Sequence, residues 1–105
     1  MMRLTAVVAL FTDLGEPELA AWVERGWVRP ETAETGWIFQ DIDVARVRLI
    51  YDLHRGMSVQ EDTIPLVLSL LDQVYELRGR LRSVLRAVEA QPEAVREPIL
   101  AALDG

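Results

Sequence analysis

The apolar residues recur at helical spacing through most of the chain and are interrupted by short polar or glycine-bearing breaks. Leu4, Val7, Val8 and Phe11 share one face and predict a first helix over about Leu4–Phe11. Thr12, Asp13 and Gly15 predict a turn. A second helix is expected from near Pro17, a residue suited to a first helical position, with Glu16 and Glu18 complementing its dipole. Leu19, Trp22 and Val23 line its buried face, and Gly26 ends it at the position where left-handed backbone is usual.

The pattern then changes. Trp27-Val28-Arg29-Pro30 and Gly36-Trp37-Ile38-Phe39 are short apolar runs on either side of the polar stretch Glu31–Thr35, which predicts a small hairpin or wing. Helical spacing returns with Val44, Val47, Ile50, Tyr51 and Leu53. This third helix is capped by Asp41 or Asp43, runs to about Arg55 and is stopped by Gly56. A fourth helix is expected from about Thr63 to Ala90, capped by Asp62 or Thr63, with Pro65 tolerated in its first turn.

The fourth helix carries heptads. Ile64, Leu71, Arg78 and Leu85 fall at one core position and Val67, Val74, Leu81 and Val88 at the other, while Leu70, Leu77 and Val84 widen the stripe. So long a helix in so short a chain cannot bury its whole apolar face within one domain. The tail from Pro92 to Leu103 is expected to form a last short helix, kinked or broken at Pro98.

Composition narrows the class. Half of the 105 residues are hydrophobic and 27% are charged, which suits one modest globular core and argues against disorder. Cysteine is absent, which removes disulfides and thiolate metal sites. The apolar N-terminus has no small-residue cleavage site after it and reads as helix, not leader. No apolar run approaches the roughly 20 residues that span a bilayer.

The helix–turn–helix, wing and third-helix order, followed by a long helix, resembles the MerR-like winged-helix group, and more closely the CbpM family of chaperone modulators. The likeness rests on Trp22-Val23-Glu24-Arg25-Gly26-Trp27-Val28-Arg29-Pro30, on Gly36-Trp37-Ile38-Phe39, on Asp43 through Leu53, and on Ile64 through Gln73 with Leu77 beyond. It covers about residues 4–88. The expected fold is mainly all-α: a MerR-like winged helix–turn–helix module over 1–60 with a small wing, a long dimerisation or packing helix over 61–91, and a short helical tail over 92–105. The resemblance implies a cytoplasmic protein that binds the J-domain of a DnaJ-like (CbpA-type) co-chaperone and blocks its work with a DnaK-type chaperone. A DNA-binding transcriptional regulator of the MerR kind is the alternative.

Charge bears on that choice. Net charge is −6, from 11 arginines, no lysine and 17 acidic residues. In MerR regulators the second helix enters the major groove and the wing grips phosphates. Here that helix holds Glu16, Glu18 and Glu24 against Arg25, and the wing tip Glu31–Thr35 has no basic residue. Regulators of that group usually carry Arg after the wing aromatic, where this chain has Ile38. Phosphate contacts supply most of the affinity for duplex, so the sign of this field disfavours DNA and favours a cationic protein. The expected docking residues are Glu16, Glu18 and Glu24, then Asp41, Asp43 and Asp52 on the third helix.

The fourth helix is electrically divided. Glu61, Asp62, Asp72 and Glu76 lie in its first half and cap, and Arg78, Arg80, Arg82 and Arg86 in its second. Two antiparallel copies would oppose acid to base, which predicts an antiparallel homodimer through Val67, Leu71, Val74, Arg78, Leu81 and Leu85. Packing against the tail within one chain is the alternative. Arg78 at a core position must then reach Asp72, Glu76 or a partner's acid. The arginine run itself reads as a solvated helix end rather than a nucleic-acid patch.

No enzyme is expected, and no cofactor or metal. His54 is the single histidine, without a companion ligand. Ser58, Ser69 and Ser83 lie in no nucleophile context, and there is no glycine-rich phosphate loop. Trp22 reads as core, while Trp27 and Trp37 suit either core or a partner hot spot.

Overall fold

The computed structural model describes residues 1–104. In chain order the elements are β1 (Met2–Arg3), α1 (Leu4–Val8), α2 (Glu16–Glu24), β2 (Glu31–Ala33), β3 (Gly36–Phe39), α3 (Asp41–Tyr51), a π-helical turn (Asp52–Gly56), α4 (Ile64–Glu89) and α5 (Glu93–Asp104). The architecture is mostly helical with one small sheet of order β1-β3-β2. The chain forms two compact units, Met1–Leu68 and a second beginning at Ser69.

The first unit closes around one core. Val7, Leu19, Val28, Phe39, Val47, Ile50 and Ile64 are fully buried there, with Trp22 and Leu68 nearly so. Each helix enters by the face that its spacing marks. Phe11 and Leu14 reach the core from the turn after α1, which is shorter than expected and ends at Val8. The turn holds Asp13 at φ 61°, in the left-handed region that Asp tolerates.

The end of α2 is a Schellman motif. Gly26 takes φ 79° and donates its N–H to Val23, and Trp27 donates to the Trp22 carbonyl at 3.0 Å. The motif commonly brings an apolar pair together across the helix end. Here the pair is Trp22 and Trp27, with ring centroids 6.5 Å apart. This geometry corrects the expected hairpin. Trp27 and Val28 are core residues, and the first strand is the polar segment Glu31–Ala33, exposed along its length. It pairs antiparallel with β3, Thr32 against Trp37. The N-terminus adds β1 to the other side of β3, with Met2 against Phe39.

Residue Gln40, not Asp41 or Asp43, caps α3. Asp43 completes the box by accepting the Gln40 N–H at 2.8 Å. The helix does not run regularly to Arg55. It widens after Tyr51 into a π turn, in which the Met57 N–H reaches the Asp52 carbonyl at 2.9 Å. His54 lies in this turn, its Nδ1 donating to the Val59 carbonyl at 2.9 Å.

Helix α4 has nearly the expected bounds; its first residues, Ile64–Leu68, belong to the first unit and the rest to the second, where α5 runs through Pro98 as one helix. Pro98 forfeits one helical hydrogen bond but does not end the helix, so of the kink or break expected there the break is absent. Among the described residues no helix is long and apolar enough to cross a membrane.

Candidate docking surface

Helix α2 is held from both ends. At its first turn, Arg55 forms a two-pronged ion pair with Glu18, at 3.0 Å and 2.7 Å. The same guanidinium donates to the Asp13 carbonyl at 2.6 Å. The hydrogen bond to Glu18 raises the pKa of Arg55 above its ordinary value, so the cation persists at any ordinary pH. Tyr51 adds a bond from its hydroxyl to the Thr12 carbonyl at 2.8 Å and packs its ring on Phe11, centroids 5.0 Å apart. The π turn thus aims Arg55 back at the loop that introduces α2. At the far end, Arg46 donates to the Trp27 carbonyl, which ties α3 to the residue that closes α2.

What α2 shows to solvent is acidic. Glu16 and Glu24 are exposed, and so is Arg25, the cation at the helix C-cap. Arg25 lies 5.1 Å over the Trp27 ring and 3.4 Å from Glu61. The wing tip from Glu31 to Gly36 is exposed and adds Glu31 and Glu34. Residues 1–68 hold six arginines against eleven acids, and Arg25, Arg46, Arg48 and Arg55 make contacts within the fold.

The six acids expected to dock a partner divide in two. Glu16, Glu24, Asp41 and Asp52 are exposed. Glu18 and Asp43 are half-buried and engaged, one by Arg55 and one by the Gln40 N–H. Between the start of α1, the wing tip and the first turn of α2 lies an open groove of about 470 Å³, lined by Leu4, Trp37 and Glu16 among others. Trp22 and Trp27 are spent in the core, whereas Trp37 is half-buried at this groove. Ile42, beside Asp41, is 78% exposed and was not singled out by spacing. Its signal was its place off the buried face of α3, which runs through Val47 and Ile50.

A second surface lies on α4. Leu70, Val74, Leu77, Leu81 and Val84 are all exposed. With Val67 and Val88 they make an uninterrupted seam at alternating steps of three and four residues, and the seam bypasses Arg78. Of the residues expected to pair two copies, Val74 and Leu81 are exposed on this seam, Val67 lies on it half-buried, and Leu71, Arg78 and Leu85 flank it. Leu71 and Leu85 are half-buried and Arg78 is exposed. Arg80 pairs with Glu76 one turn earlier, at 2.7 Å.

Among the described residues no cluster of three or more His, Cys, Asp or Glu could hold a metal ion. A family model described as MerR HTH family regulatory protein matches residues 5–86. No curated protein and no solved structure matches the chain significantly.

Proposed function

We propose that this chain, which belongs to the MerR helix–turn–helix regulatory family, is a chaperone modulator of the CbpM type, docking on the J-domain of a DnaJ-like co-chaperone. It keeps the frame of a DNA reader and turns that frame to a protein. The observation that carries the reading is the charge of α2: its exposed acids are Glu16 and Glu24, and the arginine at its C-cap, Arg25, is already engaged by Glu61. A duplex approached by this helix meets carboxylates where phosphates need cations.

J-domains resemble one another in a basic helix that docks on a DnaK-type chaperone. Glu16, Glu24, Asp41 and Asp52 give that helix a complementary field, and Ile42 and the Trp37 groove give it apolar anchors. Opposite potentials speed encounter, and the buried apolar contacts set residence time. A J-domain covered in this way is withheld from its chaperone. Two copies joined antiparallel along the α4 seam would present two such surfaces. The exposed, uninterrupted apolar row supports that pairing.

The test is a titration of an isolated J-domain with the full chain, read with and without added salt, beside a gel-shift with duplex DNA. Salt-sensitive J-domain binding, loss of co-chaperone stimulation of the DnaK-type ATPase, and no shifted duplex are expected. Tight duplex binding at physiological salt, with indifference to J-domains, overturns the reading and favours the DNA-binding regulator.

A further inference from the structure

Six aromatic residues lie in the first unit, and they differ in what covers their rings. Trp22 and Phe39 are sealed in the core. Phe11, Trp27 and Tyr51 each carry an arginine of the chain, at 4.8, 5.1 and 5.5 Å from the ring centroid. Two of those arginines also hold a carboxylate. Arg25 lies over Trp27 and reaches Glu61 at 3.4 Å, and Arg55 lies over Tyr51 and reaches Glu18 at 2.7 Å. The fold thus builds one arrangement twice, a guanidinium resting on an aromatic face and paired with an acid.

Trp37 is the sixth ring. It is half-buried, and among the described residues no arginine lies over it. On β3 it shares a face with Phe39, two residues on, so its ring stands where the core ends and the groove begins. Glu16 lines the same groove from the first turn of α2, exposed and, among the described residues, in no ion pair. Arg3 lies at the rim but pairs with Ile38, so its side chain leaves the sheet on the face opposite Trp37. The groove therefore offers the aromatic and the acidic halves of the arrangement, and the described chain brings no arginine to them.

We infer that this groove receives one arginine of the docking partner, its guanidinium laid on Trp37 and paired with Glu16, with Leu4 against the apolar stem of the side chain. An aliphatic guest has no use for the acid beside the ring, and an acidic guest is repelled by it. Arginine fits better than lysine because its planar, weakly hydrated cation stacks on a ring and donates to a carboxylate at once. The inference rests on the docking reading above for the identity of the partner, and names the feature of that partner which the groove selects.

Two measurements test it. The first titrates an isolated J-domain with the full chain carrying Trp37→Leu, Trp37→Phe or Glu16→Gln. Leucine keeps the groove apolar without a π face and should weaken binding about tenfold, whereas phenylalanine keeps a poorer face and should cost about threefold. Replacing the arginines of the J-domain's basic helix with glutamine, one at a time, should find one whose loss makes affinity indifferent to both Trp37→Leu and Glu16→Gln. Thermal circular dichroism checks the folding of each variant, and Glu16→Gln, at an exposed position, keeps the test open if Trp37→Leu loosens the wing. The second measurement adds arginine amide to the natural chain with no J-domain present and follows the indole N–H signals by NMR. The Trp37 signal should shift saturably while those of Trp22 and Trp27 stay, and citrulline amide, the uncharged isostere, should move none of them.

A Trp37→Leu chain that binds like the natural one, or leucine and phenylalanine variants that lose equally, reduces the groove to an apolar contact and overturns the arginine site while docking stands. So does a J-domain in which no arginine couples to both Trp37 and Glu16. A natural chain that ignores J-domains overturns the docking reading instead. Arginine amide then decides the site alone: a saturable shift at Trp37 upholds it, and no shift, or an equal response to citrulline amide, overturns it.

Discussion

Arg55 and Glu18, 37 residues apart, meet through both terminal guanidinium nitrogens at the first turn of α2. The pair sets one of the docking acids aside for folding, because a carboxylate held by two nitrogens inside the chain is not on offer to a partner. Glu18→Gln should remove the charge-assisted bonds and leave Arg55 with the Asp13 carbonyl. The expected loss is about 1–2 kcal/mol, an order of magnitude set by partly exposed charged hydrogen bonds. In a domain of this size that lowers Tm by roughly 4–8 °C per kcal/mol, read by thermal circular dichroism. A melt within error of the natural chain would remove the pair from the list of things that position α2.

Docking is expected to respond to the acids that are free of such duties. Glu16→Lys with Glu24→Lys leaves the core untouched, since both side chains are exposed. Affinity for a J-domain should fall about tenfold, mostly through slower association, and its salt dependence should flatten. Binding kinetics at two ionic strengths check this. Equal affinity and equal salt slope for the double variant would place the interface elsewhere.

Much of this site could be read before the fold was known, and the misses have physical causes. The stop at Gly26 was legible because left-handed backbone at a helix end selects glycine, and the α4 stripe because a 26-residue helix repeats its signal many times. The wing strand was misplaced because β2 pairs through backbone alone and exposes all three side chains, leaving no apolar alternation to see. Trp27 and Val28 looked like a strand because they are apolar, but they are apolar to fill the core under the Schellman turn. The strand Met2–Arg3 is too short to carry a pattern. Glu18 looked like its neighbour Glu16 because its partner lies on the π turn, and no local rule anticipates a contact between α2 and a residue beyond α3. Arg78 was placed at the centre of the heptad stripe, whereas the exposed row runs beside it.

That shift of seam changes which substitutions should break the dimer. Leu77→Glu or Leu81→Glu puts a carboxylate into the middle of an apolar row where both residues are now exposed, at 63% and 59%. In one chain this should be close to neutral. Across two copies it buries an unpaired charge, so the dimer should dissociate at concentrations where the natural chain is paired. Arg78→Gln, on the flank, should have a much smaller effect. Sedimentation equilibrium separates these outcomes, and a dimer indifferent to both leucine changes would exclude the seam.

The last test concerns the joint between α2 and the wing. Gly26 holds φ at 79°, and a Cβ built there meets nothing within 4 Å. Gly26→Ala therefore adds no clash, and its penalty is the left-handed backbone itself, about 1–2 kcal/mol for a residue with a side chain. Gly26→Asn should recover part of that loss, because Asn tolerates the same region better. If the penalty is purely conformational, chemical denaturation should show a lower midpoint for the alanine variant with an unchanged slope. J-domain affinity measured well below the transition should not move, because the α2 acids keep their places once the domain is folded. An alanine variant as stable as the natural chain would mean that the helix end can close without left-handed backbone at Gly26, and the Schellman turn would then have no part in presenting α2.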